Sequence, residues 1–72
     1  MIKPRPCVCI NSQHFDIFRK GGYVPVEIPD NLHIEILDCI IWTCGPDYEG
    51  IAVVTQVSIT ERERTAVVQK FT

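Results

Sequence analysis

Hydrophobic and polar residues alternate along several short stretches of the chain, and each stretch predicts a β-strand. Residues 6–11, PCVCIN, place two cysteines on one face and two aliphatic residues on the other. Residues 23–28, YVPVEI, alternate around a proline. Because proline cannot donate to a strand ladder, this strand is expected at a sheet edge or a bulge. Residues 65–71, TAVVQKF, form the closing strand, and Lys70 near its end is expected to discourage further edge pairing.

Two longer segments are also predicted to be strands. In residues 51–60 a two-residue period assigns five side chains to one face: Ile51, Val53, Thr55, Val57 and Ile59. The segment 32–43 begins with the same alternation, but the phase breaks at Leu37, which predicts a β-bulge there. From Cys39 to Trp42 both faces are apolar, as in a strand that crosses a core.

One short helix is predicted over residues 12–20, between the first two strands. Asn11 is a good N-cap residue, and Phe15 and Phe18 are three positions apart on one helical face. Gly21 follows two basic residues and suits a left-handed C-cap.

The order of elements indicates an α+β fold with a mainly antiparallel sheet. Turn residues separate the strands at 29–31, 44–50 and 61–64, where the sequences are PDN, CGPDYEG and ERER. A chain of seventy-two residues can bury only a thin core. We therefore expect a single domain, a small, partly open β-barrel of about five strands with one short helix after the first strand. An SH3-like or OB-like barrel is the alternative.

Composition and charge narrow the class of protein. The residues are 46% hydrophobic, which excludes intrinsic disorder, and the formal net charge of −2 predicts no general attraction to nucleic acid. No run approaches the ~20 apolar residues of a membrane helix. The first ten residues contain two prolines and lack the long apolar stretch of a signal peptide. The expected location is cytoplasmic, where thiols stay reduced.

The four cysteines raise the question of a metal site. Cys39 and Cys44 have four residues between them, a spacing found in zinc knuckles. On an extended strand, however, residues five apart point to opposite faces, so we predict no metal, no cofactor and buried thiols. Cys7 and Cys9 precede His14, which could act as a base for a nucleophile. The preferred interpretation is that Cys9 packs under the helix and His14 is solvated.

Several isolated residues, in order along most of the chain, resemble the motif of the ASCH domain of the PUA-like superfamily. That family begins with a strand, a short helix with an aromatic residue, a glycine and then the motif G-x-K-x-x-E-x-R. Phe15, Gly22 and Glu27 match its aromatic residue, glycine and acid in order and spacing. Residues 48–50, Tyr-Glu-Gly, are similar to the Y-x-G that precedes a late strand in phage-associated members.

The resemblance implies RNA or nucleotide binding, or amidohydrolase activity, around Glu27. The motif lysine and arginine fall on Val24 and Pro29. The family's cations would engage a nucleobase, a phosphate or a catalytic intermediate, so Glu27 is the only motif charge that carries over.

The remaining candidates are surface residues. The candidates for a basic patch are Arg19, Lys20, Arg62, Arg64 and Lys70. The acids Glu49, Glu61 and Glu63 intervene, which is typical of a solvated surface. Tyr48 in the 44–50 loop is expected to be exposed, whereas Trp42 is expected in the core; tyrosine is a good interface anchor. The candidate binding residues are Tyr48, Glu27, Tyr23, Asp47, Arg62 and Arg64.

The first functional hypothesis is a small non-catalytic interaction module. It would bind a protein partner through the 44–50 loop and a sheet edge, as phage and mobile-element proteins do when they inhibit or redirect a host protein. A homodimer through a sheet edge stays open. The alternative is a degenerate ASCH-like domain that binds RNA or a nucleotide, and a third hypothesis is an ASCH-like amidohydrolase.

Overall fold

Five strands and one short helix make up residues 6–71, the part of the chain that the computed structural model describes. The elements, in chain order, are β1 (Cys7–Cys9), α1 (Phe15–Arg19), β2 (Tyr23–Glu27), β3 (Cys39–Thr43), β4 (Glu49–Ile59) and β5 (Arg64–Lys70). The strands form one mixed sheet in the order β1-β3-β4-β5-β2. β1 is parallel to β3, and the other ladders are antiparallel. The sheet curls into a half-barrel, so the predicted fold class is confirmed.

Strands β1 and β2 lie at the two edges of the sheet. They come close together as the sheet curls, but neither pairs with the other. Pro25 therefore occupies an edge strand, as predicted. The expectation for Lys70 is wrong, because β5 lies between β4 and β2 and has no free edge.

The core fills the inner side of the curled sheet. Phe18 of α1 contacts Trp42 of β3 edge to face, with ring centroids 5.0 Å apart, which places Trp42 in the core as predicted. The buried side chains are Val8, Ile10, Phe18, Val24, Val26, Ile28, Ile34, Ile40, Trp42, Ala52, Val54, Ala66 and Val68. Each strand contributes alternate residues to this cluster, which follows from the two-residue period.

The helix is shorter than predicted, and its N-cap is His14, which makes no side-chain capping hydrogen bond, so the N-cap expected at Asn11 is wrong. The Asn11 carboxamide oxygen accepts a hydrogen bond from the backbone N–H of Gln13 at 2.9 Å, which forms a turn before the helix. Gly21 has φ +94° and donates to the Phe18 carbonyl at 3.0 Å. The left-handed C-cap at Gly21 is therefore confirmed.

The strand predicted at the start of segment 32–43 is wrong. Residues 32–38 are irregular, and β3 begins only at Cys39. The carbonyl of Leu32 accepts from Arg64 Nη2 at 2.8 Å instead of from a neighbouring strand. The β-bulge predicted at Leu37 is confirmed: the Leu37 N–H donates to the Val54 carbonyl at 2.7 Å, and the Val54 N–H donates to the Asp38 carbonyl at 3.0 Å, so two residues oppose one. Leu37, the first residue of this bulge, adopts a left-handed conformation with φ 73°.

A second β-bulge, which was not predicted, lies in β4 between Val54 and Gln56. After the extra residue, odd-numbered and even-numbered side chains exchange sides of the sheet. The prediction that Ile51, Val53, Thr55, Val57 and Ile59 share one face is therefore wrong. Before the bulge Ala52 and Val54 are buried, whereas after it Val57 packs against the core. The extra residue, Thr55, donates its hydroxyl to the Val67 carbonyl at 3.0 Å.

Candidate functional site

The outer side of the sheet is apolar across neighbouring strands. Strand register aligns Cys7 with Ile41 and Ile51 in one row, and Cys39 with Val53, Gln69 and Tyr23 in the next. Val67 and Pro25 form a third row. We call the apolar members of these rows the outer apolar face: Cys7, Tyr23, Pro25, Cys39, Ile41, Ile51, Val53 and Val67.

Two polar side chains lie within those three rows, Gln69 and Gln56, and Gln56 stands opposite Val67 in the third row. Gln69 donates its amide to the Gly21 carbonyl at 2.8 Å. The nearest charges on this side of the sheet are Glu49 and Glu27, which stand at the ends of β4 and β2. The centre of the outer apolar face is therefore uncharged.

A groove of about 860 Å³ separates β1 from β2. One wall carries Cys7, Cys9 and His14, and the other carries Pro25 and Glu27. Further lining comes from Val8, Asn11, Val26, Ile28, Pro29, Asp30 and Thr65. The described lining thus includes two carboxylates and no lysine or arginine.

Glu27 is exposed and lies where two depressions meet. It lines the groove and also a smaller depression of about 320 Å³ beside the β4–β5 turn. Within residues 6–71 no lysine, arginine or histidine forms an ion pair with it. Glu27 is therefore an exposed acid at the rim of a groove.

The thiols are more exposed than predicted. Cys7, Cys9 and Cys39 are exposed and Cys44 is half-buried, so the expectation of buried cysteines is wrong. Cys39 lies on the outer face and Cys44 packs against the core, which confirms their opposed directions. No cysteine described is in a disulfide, and residues 6–71 contain no group of three or more potential ligands arranged to hold a metal ion.

Cys9 and His14 also differ from the expectation. The Cys9 sulfur lies 3.6 Å from the Thr43 hydroxyl, outside the core. His14 is half-buried, and its Nδ1 has no hydrogen-bond partner in the described structure. Both residues line the groove, which brings them to the same surface.

The two candidate arginines have different environments. Arg64 is half-buried and donates to the carbonyls of Leu32 at 2.8 Å and Pro29 at 3.4 Å, and its Nε lies 3.8 Å from Asp30 Oδ1. Its guanidinium therefore holds the loop after β2. Arg62 is exposed on the β4–β5 turn with an acid on each side in the sequence.

Tyr48 is the exposed end of a chain of aromatic rings. It is 56% exposed, and its ring centroid lies 5.1 Å from that of Phe15, which in turn lies 6.0 Å from Trp42. The Tyr48 carbonyl accepts from the Cys44 N–H at 2.9 Å, which closes the loop. Asp47 is exposed beside it. The loop thus presents Tyr48 in a fixed position, but away from the Glu27 groove.

These features define a small α+β half-barrel with an apolar outer face and a groove between its edge strands. Comparisons of the chain with protein-family models, with curated proteins and with solved structures gave no match. The resemblance to ASCH domains therefore stays a prediction. None of the helices in residues 6–71 has the length and apolar character needed to cross a membrane.

Sequence reasoning missed the outer apolar face. The available signal was that residues 39–42 and 51–54 are apolar at successive positions, so both faces of β3 and β4 carry aliphatic side chains. The alignment of these strands with Val67 and Tyr23 depends on the register of the ladders.

Proposed function

We propose that the protein is a non-catalytic interaction module that binds a protein partner through its outer apolar face. The supporting observation is the run of aliphatic side chains that Ile41, Ile51, Val53 and Val67 form across three adjacent strands. Contiguous apolar surface without charge is typical of protein interfaces. A partner with an apolar patch of its own would remove these side chains from water.

Tyr23 supports this assignment at the margin of the face. It is 62% exposed on the edge strand β2, next to Gln69 and Val53 in the same row. Tyrosine at such a position adds a large contact area with few rotatable bonds, as interface anchors do. Tyr48 is a second exposed anchor, on a different part of the surface.

The nucleic-acid alternative has less support from the site around Glu27. Phosphate groups require cations, but the described groove lining contains the carboxylates of Glu27 and Asp30 and no lysine or arginine. Arg64 is engaged with loop carbonyls. A role in inhibiting a host protein depends on the identity of the partner, which the following experiment would reveal.

The test is affinity capture from bacterial lysate, with and without nuclease, followed by identification of bound proteins. Val53→Lys places a charge at the centre of the outer apolar face. Gln13→Lys is the control with the same added charge, at an exposed residue of the turn before α1. We expect one protein to survive nuclease, to bind the control normally and to be lost from Val53→Lys. Equal capture by both variants would contradict the proposed surface.

A second pair of variants separates aromatic from charged recognition. We propose that the same partner also contacts the 44–50 loop, so Tyr48→Ala is expected to weaken partner binding more than removal of arginine charge does. Because Arg64 also holds a loop, Arg62→Ala is the cleaner charge probe. Binding that is lost in Arg62→Ala and with nuclease, while Tyr48→Ala and Val53→Lys are silent, would favour the nucleic-acid alternative.

A further inference from the structure

The free edge of β1 faces the groove, and within residues 6–71 its outward backbone groups have no hydrogen-bond partner. Pairing to β3 uses the residues flanking Cys7 and Cys9: Ile41 N–H donates to the Pro6 carbonyl at 2.9 Å, and Ile10 N–H donates to the Thr43 carbonyl at 2.8 Å. In a parallel ladder this pattern turns the N–H and C=O of Cys7 and Cys9 away from β3. Two donors and two acceptors are therefore available on the groove side.

The free edge of β2 forms the opposite wall but offers fewer donors. The Ile28 N–H donates to the Arg64 carbonyl at 2.9 Å, which sets the antiparallel register. Residues at odd positions of β2 consequently turn their backbone groups toward the groove. Pro25, in the middle of this edge, has no N–H, so proline protects β2 from pairing while β1 has no such protection.

The charges of the groove favour a cationic ligand. Glu27 and Asp30 line it, and Glu27 has no ion-pair partner in the described structure. Asp30 faces Arg64 only at 3.8 Å, and the Asp30 side chain is fully exposed. A lysine or arginine placed at this end of the groove would compensate both carboxylates.

We propose that the groove binds an extended peptide segment of a partner protein, which pairs with the backbone of Cys7 and Cys9 and places a lysine or arginine beside Glu27. The segment adds a strand at the free edge of β1, while Pro25 limits β2 to side-chain contacts with it. This second site rests on one part of the proposed function, namely that the partner is a protein.

Binding requires the groove to widen. Some Cα atoms of β1 and β2 lie 8 Å apart or less, whereas an inserted strand stands about 4.8 Å from β1 and needs a similar distance to β2. Where the two strands are this close, the groove has to open by about 2 Å or more. We expect β1 to move, because this strand has only three residues and pairs only with β3.

The test begins with selection of random heptapeptides from a display library on the wild-type protein. Counter-selection uses Cys9→Pro, which removes a groove-facing N–H and leaves the neighbouring bonds to β3 in place. We expect enrichment of lysine and arginine among the selected sequences. Failure to enrich any sequence over the Cys9→Pro background would overturn the proposal.

The backbone contribution is then measured on wild-type protein, so that it does not depend on the folding of a variant. A selected peptide is compared with the same peptide N-methylated at alternate amides. Loss of two backbone hydrogen bonds should weaken the affinity roughly tenfold. Equal affinities of the two peptides would show that strand pairing is absent and would overturn the proposal.

Charge recognition is tested with Glu27→Lys and the matched control Glu61→Lys, an exposed acid outside the groove. The basic peptide should lose roughly tenfold in affinity for Glu27→Lys and keep its affinity for Glu61→Lys. Equal affinities for the two variants would overturn the assignment of the cation to Glu27.

Val53→Lys separates this proposal from the proposed function. A peptide in the groove should bind this variant as it binds the wild type, since Val53 does not line the groove. If partner capture depends on Val53 but no peptide enters the groove, only the groove proposal fails. If groove peptides bind but capture is independent of Val53, only the outer-face assignment fails.

Discussion

Leu37 adopts a left-handed backbone conformation although it carries a side chain. Its φ is 73°, and 76% of the residue is exposed, so its packing offsets little of the conformational cost. For a residue with a Cβ that cost is about 1–2 kcal/mol, and glycine avoids it. The strain at Leu37 is therefore open to relief by substitution.

We expect Leu37→Gly to leave the free energy of unfolding unchanged or to raise it by about 1 kcal/mol, because relief of strain offsets the entropy cost of glycine. Urea denaturation measures the change. Ile36→Gly is the control, since Ile36 is also exposed but has no positive φ, and it should destabilise the protein by about 1 kcal/mol. Equal destabilisation by both variants would contradict the strain at Leu37.

Glu27 is expected to contribute little to stability. It is exposed, has no ion pair in the described structure, and sits at the end of an edge strand. Glu27→Gln should therefore change the free energy of unfolding by less than about 1 kcal/mol, the usual range for surface substitutions. A loss of several kcal/mol in thermal or urea unfolding would show that Glu27 anchors a buried network.

At the scale of elements, Arg64 of β5 links the sheet to the irregular segment after β2. Its guanidinium donates to the carbonyls of Pro29 and Leu32, in place of the strand pairing that the alternation at 32–36 predicted. The loop can then direct Ile34 into the core without a neighbouring strand.

Arg64→Ala is expected to lower the free energy of unfolding by about 1–3 kcal/mol, because the Leu32 carbonyl loses its donor and the Pro29 carbonyl keeps only the Leu32 N–H. Arg62→Ala, on the exposed turn nearby, should change it by less than about 0.5 kcal/mol. Urea denaturation of the two variants gives the comparison. Equal effects would show that the contacts of Arg64 add nothing beyond an exposed charge.

The bulge in β4 explains why the facing of this element was not predictable. The alternation in residues 51–60 is regular, and no glycine or proline marks an extra residue. Only the pairing with β5 shows the shift at Thr55, whose hydroxyl satisfies the Val67 carbonyl. Bulging lets Ala52 and Val54 face the core before the shift and Val57 after it, which suits a sheet that curls.

At the scale of the whole molecule, charge and apolar surface are separated. The net charge is −2, and the outer apolar face carries no charged side chain. Partner binding through this face should therefore depend weakly on ionic strength, because few counterions are released. Titrations of the captured partner between about 50 and 200 mM salt should give affinities within roughly threefold, whereas a phosphate-dominated complex would lose several orders of magnitude.

The sequence by itself determined the number and order of the strands, the helix after β1, the C-cap at Gly21 and the edge position of Pro25. Each of these depends on local chemistry: the side-chain period, the backbone freedom of glycine and the missing N–H of proline. The exposure of Tyr48 and the burial of Trp42 also followed from their immediate neighbours.

Only the tertiary structure decided which strands are neighbours and therefore which faces and edges are free. The parallel pairing of β1 with β3 exposes three thiols, and the curl of the sheet places Glu27 across a groove from Cys7 and Cys9. Strand register and the β4 bulge align aliphatic residues from distant segments into the outer apolar face. These outcomes depend on pairing between strands that are distant in the sequence, and on which side chains fill a core too small for all the apolar residues. The alternation of residues within one strand predicts neither.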